Sequence, residues 1–164
     1  MKHRVVLLVG LTTAASLSVA ASLVTASQAE PPTGVSATVL SRGTLDSFNV
    51  RSDPHGAIDG FRAHSTRPMD LVVRQHDYQA GSTTGWHSHP GPIFITVVSG
   101  TLTYYELDDP CTPHVVTAGQ SFVDNGAGHV VRNLTAQPAR DISVITAPVG
   151  GVFRTNIAPP TTSC

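Results

Sequence analysis

Charge is scarce in this chain: Asp, Glu, Lys and Arg make up 13% of its 164 residues, about half the roughly 25% of an ordinary soluble domain. That scarcity excludes a charge-rich disordered chain, a coiled coil and a polybasic nucleic-acid binder. Lysine is nearly missing, with Lys2 its sole occurrence. From Glu30 onward eight arginines face eleven acids, so nothing draws that region to phosphate backbones or an anionic membrane surface. Sustained 3.6-residue periodicity, internal repeats and low-complexity tracts are also missing. So are a GxSxG elbow, HExxH, a P-loop and GxGxxG after a strand, which sets aside the chemistries those motifs carry. Asp108-Asp109 lacks the oxygen-rich surroundings of a calcium site. Fourteen glycines and twelve prolines are plentiful by contrast, and they interrupt the chain too often for long helices.

The first thirty residues read as an address. Met1-Lys2-His3-Arg4 is a basic start, Val5 to Val24 is uncharged, and Ser27-Gln28-Ala29 ends on small residues before a Pro31-Pro32 pair. This is the layout of a secretory signal peptide, cleaved after Ala29. A retained membrane anchor is the rival, since about 20 apolar residues span a bilayer. Thr12, Thr13, Ser16, Ser18 and Ser22 dilute the stretch, however, and no basic cluster follows it. The expected organisation is a leader over 1–29, a Pro-rich linker over 30–34, a β-domain over 35–150 and a tail over 151–164. A secreted product with no stable membrane insertion follows. In that compartment Cys111 and Cys164 read as one disulfide. Closing its loop of about 53 residues would contribute roughly 4 kcal/mol in the chain-entropy model.

Short apolar runs between turn residues predict strands over 35–40, 70–78, 92–98, 101–106, 115–116, 121–124, 129–134 and 141–146. Turns are expected at 42–44 and 80–82, and a loop with at most one short strand over 51–68. The run from Pro92 to Val98 reads as a strand buried on both faces. Many short strands at this spacing indicate a sandwich or small barrel.

Two histidines, His87 and His89, are two positions apart and so share one strand face. His129 follows between glycines and a Val130-Val131 pair. Three neutral imidazoles converging in a protected space would suit a divalent first-row metal. The plainer alternative is a polar turn plus a core histidine, and spacing alone leaves the two level.

The pattern resembles a family. Gly81, then His87-Ser88-His89 after five residues and Gly100 after ten more, is similar to the first motif of the cupin superfamily. Gly119 to Asn133, with Gly126 and His129, is similar to the second. GWHSHPGP and SGTLTYYE resemble small exported bacterial cupins with a single (type 2) domain. The resemblance implies a jelly-roll, or double-stranded β-helix, barrel that often pairs as a homodimer. It also implies a metal (Fe, Zn, Cu, Mn, Ni or Co) held by His87, His89 and His129, and a small-molecule ligand or substrate. The family's usual glutamate ligand falls at Ile93, leaving three histidines without a carboxylate, as in thiol dioxygenase relatives. Such a neutral set leaves the metal its full charge and favours an anionic ligand. The implied function is metal-dependent oxidation or dioxygenation of a small molecule; the alternative is a non-catalytic binding barrel.

Alternation predicts that Ile93 faces the histidines with Ile95 and Val97. His76 and Tyr78 share a face with Arg74: inward, His76 would be a fourth ligand or proton shuttle and Tyr78 an oxyanion donor. Three polar groups together favour the outward reading. Tyr104 is a third catalytic candidate, with packing as the plainer role. His55, His64 and His114 are read as loop histidines, Trp86 as a core or rim anchor, and Glu106 as a rim charge. Metal occupancy is expected to fall steeply below about pH 6, because ordinary imidazoles titrate there.

Overall fold

A computed structural model describes residues 28–162, and all regular structure among them is strand. The strands are β1 (Thr33–Leu45), β2 (Phe48–Arg51), β3 (Arg62–Ser65), β4 (Met69–Thr83), β5 (His87–Ser88) and β6 (Ile93–Ser99). After these come β7 (Thr101–Glu106), β8 (His114–Thr117), β9 (Ser121–Asp124), β10 (His129–Arg132), β11 (Ala139–Pro148) and β12 (Thr155–Asn156). Apart from the β2–β3 hairpin they form one sheet that curls almost into a barrel. One layer runs β1–β4–β11–β6–β9 and the other β8–β7–β10–β5–β12, joined where Arg132 of β10 meets Thr83 of β4. The expected leader lies outside the described residues but for its last two positions.

Several strands depart from expectation. The turn expected at Arg42-Gly43-Thr44 is extended chain, because β1 pairs with β4 as far as Leu45↔Met69. Likewise β4 continues through Ala80-Gly81-Ser82; the ladder slips there from Val35↔Tyr78 to Thr33↔Thr83 instead of ending. The loop expected over 51–68 carries one short strand, β3, as expected; the unexpected element is its partner β2 just before the loop, with Phe48↔Ser65 to Arg51↔Arg62 in register. His64 and His114 therefore lie on β3 and β8 rather than in loops.

The run beginning at Pro92 is not buried on both faces. In β6, Ile93, Ile95 and Val97 are buried, while Phe94 and Val98 are about half exposed. Among the described residues nothing covers that outer face, so the strand alternates in burial although not in hydropathy. The inward residues join Val72, Leu102, Phe122, Val131 and Ile145 in one core between the layers, each fully buried aliphatic contributing roughly 1.5–3 kcal/mol. Gly100 makes the β6–β7 turn with φ +75°, and a Cβ there would lie 2.6 Å from the Pro138 carbonyl. Only glycine fits such a position.

Candidate metal centre

His87 and His129 face each other across the β5–β10 pairing. His89 follows β5 in a segment held by its own N–H bonding to the Gly126 carbonyl at 3.0 Å. Ligand nitrogens of the three rings lie within 4.8 Å of one another. His87 and His129 are buried, at 5% and 3% exposure.

What turns three neighbouring rings into a donor set is the state of their other nitrogens. Nδ1 of His87 lies 2.8 Å from the Gly85 carbonyl. Nδ1 of His89 is 2.7 Å from the Phe153 carbonyl. Nδ1 of His129 is 2.6 Å from Oδ2 of Asp124. Those carbonyls and the carboxylate only accept, so each Nδ1 carries the proton and each Nε2 presents its lone pair to the shared space. This is the outer support that orients and sharpens metal-binding imidazoles. Asp124 is itself held, its other oxygen accepting from the Gly126 N–H. Burial pushes its carboxyl up, yet the hydrogen bond and charge interaction with His129 win and keep it below the usual range.

Protonation is suppressed at two of the rings. Burial first, then the neighbouring His129 and Arg154, hold His87 well below the ordinary imidazole range. Burial and His129 lower His89 to about 4, against an ordinary 6.5. Both are therefore neutral, metal-ready ligands well below neutral pH. The expectation of steep metal loss below about pH 6 must accordingly be corrected downward. Between pH 6 and pH 5, metal binding should displace no more than one proton, whereas three ordinary imidazoles would displace up to three. Apparent Co²⁺ affinity measured against pH gives that slope; a value near three would contradict it. The same shifts act on the metal-free fold. Folded His89 takes its proton only near pH 4, whereas the unfolded chain takes it near 6.5. The stability it contributes is thus complete above about 6.5 and is lost as pH falls toward 4.

A cavity of about 70 Å³ opens beside the rings, and Ile93, Ile95, Val131 and Ile145 form apolar walls. Ile93 is 1% exposed and lines the cavity beside the rings. Ile93→Glu should add a carboxylate to the donor set and tighten Co²⁺ binding at least about tenfold. Unchanged affinity in a folded variant would contradict that placement.

The outward reading of His76 and Tyr78 is overturned: His76, Tyr78 and Arg74 all line the cavity. The cause is Asp141, which pairs with His76 across β4 and β11. Its two oxygens lie 2.8 Å from His76 Nδ1 and 2.7 Å from the Tyr78 hydroxyl, which donates to it. Tyr78 is 2% exposed, and burial together with the Asp141 charge pushes its hydroxyl well above the usual phenol range. Tyr78 is thus committed to Asp141, while His76 is oriented by it. Tyr104 is not part of the cavity; it stacks on Phe122 at 4.0 Å and on His114 at 4.7 Å. Trp86 is buried, and Glu106 sits opposite His129 in the β7–β10 ladder.

Four contributors escaped sequence reasoning: Asp124, Asp141, Phe153 and Arg154. Asp124 carried a readable signal, a carboxylate five positions before a candidate ligand. The others act across 64 or 65 positions or, for Arg154, 70. No local pattern marks them.

Antiparallel strands thus surround one cavity at which three Nε2 atoms converge. Residues 75–145 match the cupin domain family. No curated protein matches the sequence. Among solved structures, the chain is similar to an uncharacterized conserved protein with a double-stranded beta-helix domain from Klebsiella pneumoniae. Identity is 25% and the TM-score 0.46, over 52% of this chain and 73% of that one. It is also similar to a cupin domain from Bordetella pertussis (18%, TM-score 0.44, 71% and 95% covered). A third is an oxalate oxidase in complex with glycolate (22%, TM-score 0.46, 52% of this chain and 45% of that one).

Proposed function

We propose that this chain is an exported cupin that holds one divalent transition metal through Nε2 of His87, His89 and His129, and admits a small molecule beside it. The observation that carries the reading is the triple engagement of Nδ1, which leaves three lone pairs and no competing carboxylate at one point. The donor chemistry fits Fe, Zn, Cu, Mn, Ni or Co. When bound, such a metal supplies Lewis acidity or, for a redox-active ion, electron transfer. The chain's own residues provide a cavity with apolar walls and, in His76 and Asp141, an oriented imidazole able to hold or move a proton. That pairing favours metal-dependent oxidation or dioxygenation of a small molecule over a purely binding barrel. Elemental analysis of protein purified from an exporting host tests the metal. About one equivalent per chain is expected, and no stoichiometric metal before or after loading would overturn the reading.

Export is proposed on the leader-like first 29 residues together with a Cys111–Cys164 disulfide. Cys164 lies outside the described residues. Support comes from a groove that Cys111 shares with Pro159, Pro160 and Thr162, which brings the end of the described tail alongside the cysteine. Intact mass should show two alkylated thiols only after reduction. Alkylation of unreduced, exported protein would contradict the bond.

A further inference from the structure

Away from the imidazoles, the cavity carries polar groups that metal binding leaves unused. Arg74 enters from β4, its guanidinium 5.1 Å from the Phe153 ring centroid. Its Nε is buried without a hydrogen-bond partner. Directly opposite in the β4–β11 ladder stands Ser143, 3% exposed, with an equally unpartnered Oγ. Arg154 reaches the same cavity from the tail, anchored by bonds to the Thr84 carbonyl at 2.6 Å and to the Asn156 side chain.

Two adjacent buried donors with nothing to donate to are costly, at about 1–3 kcal/mol each. Neither arginine belongs to an ion pair among the described residues. Asp141 does not satisfy them: its hydrogen bonds go to His76 and Tyr78, and it forms no ion pair with either arginine. Burial lowers both guanidinium groups, and Arg74 lowers Arg154 further, as expected of like charges facing one space. Among the described residues Asp141 is the one carboxylate in the cavity and its charge favours the Arg74 cation, so two guanidinium groups face a single negative charge and a second one is left to a ligand.

We infer that the ligand of this cavity is a short-chain carboxylate, its carboxylate seated against Arg74, Ser143 and Arg154 and its hydrocarbon against Ile95, Val131 and Ile145. The planar guanidinium fork matches a carboxylate in two-point contact. The small volume and aliphatic walls select against a phosphate, which would need further donors on its remaining oxygens. The inference deepens the metal-binding reading, on which it rests only for the direction the ligand's other end takes.

Calorimetry with propionate, its neutral isostere propionamide and inorganic phosphate tests it, on metal-free and Co²⁺-loaded protein. Propionate should bind at least about tenfold more tightly than either other compound. Arg74→Met and Arg154→Met should each weaken propionate by about tenfold or more, with Co²⁺ affinity within about twofold in Arg74→Met and not weakened in Arg154→Met, which removes a positive charge beside His87. Arg74→Lys, which keeps charge but loses the fork, should fall between. Should Arg74→Met fail to fold, Arg154→Met and Arg74→Lys carry the test. Equal binding of propionate and propionamide, tighter binding of phosphate, or indifference to the arginine changes would each overturn the carboxylate site. Loss of Co²⁺ binding with propionate binding intact would instead overturn the metal reading alone.

Discussion

His129→Ala should weaken Co²⁺ binding at least about 100-fold and leave a folded barrel. Removing a ligand costs more than removing an outer partner, which typically costs 10–100-fold. His87→Ala and His89→Ala should behave alike, since each ring supplies one of three nitrogens within 4.8 Å. Asp124→Asn should cost about 10–100-fold, because it removes the charge that orients His129 at 2.6 Å. The same alanine change at the exposed His55 or His64, or at His114 against Tyr104, should leave Co²⁺ affinity unaltered. Visible-absorption titration of purified variants reads all of these. Retained binding in His129→Ala, or lost binding in His64→Ala, would contradict the assignment.

Asp141→Ala should be the most damaging single change outside the ligands, costing about 3 kcal/mol and lowering Tm by roughly 10 °C. At 2% exposure this carboxylate holds the Tyr78 hydroxyl and His76 Nδ1 at once. Its loss strands a buried hydroxyl beside Arg74, whose charge then lacks a compensating neighbour. Tyr78→Phe removes one donor and leaves the carboxylate its bond to His76, so it should cost only about 1 kcal/mol. Chemical denaturation separates the two. Equal and small effects would show that Asp141 is not the anchor described here.

The contrast between Asp124 and Asp141 shows how far the sequence carries. His87, His89 and His129 are legible because two share a strand parity and the third sits in a glycine-flanked motif. The direction of Ile93 is legible by alternation too. Alternation also groups Arg74, His76 and Tyr78 on one face but cannot say which face is inside. That was decided by Asp141, 65 residues from His76 and opposite it only once β11 docks on β4. The outward expectation for His76 failed for that reason. The Arg42-Gly43-Thr44 turn failed similarly, since a local glycine signal yields to a ladder that continues to Leu45. Burial of β6 was misjudged because its solvent face bears Phe94 and Val98, so hydropathy hides the alternation. The tail gave no local sign that Phe153 would orient His89 or that Arg154 would enter the cavity.

X-ray absorption at the metal edge of the loaded protein tests the three-imidazole centre most directly. The account predicts scattering from three imidazole nitrogens, completed by solvent or added anion, with no sulfur and no protein carboxylate. Loss of one imidazole component in His129→Ala should follow. A shell with fewer than three imidazoles in the unaltered protein, or one containing a protein carboxylate, would contradict it.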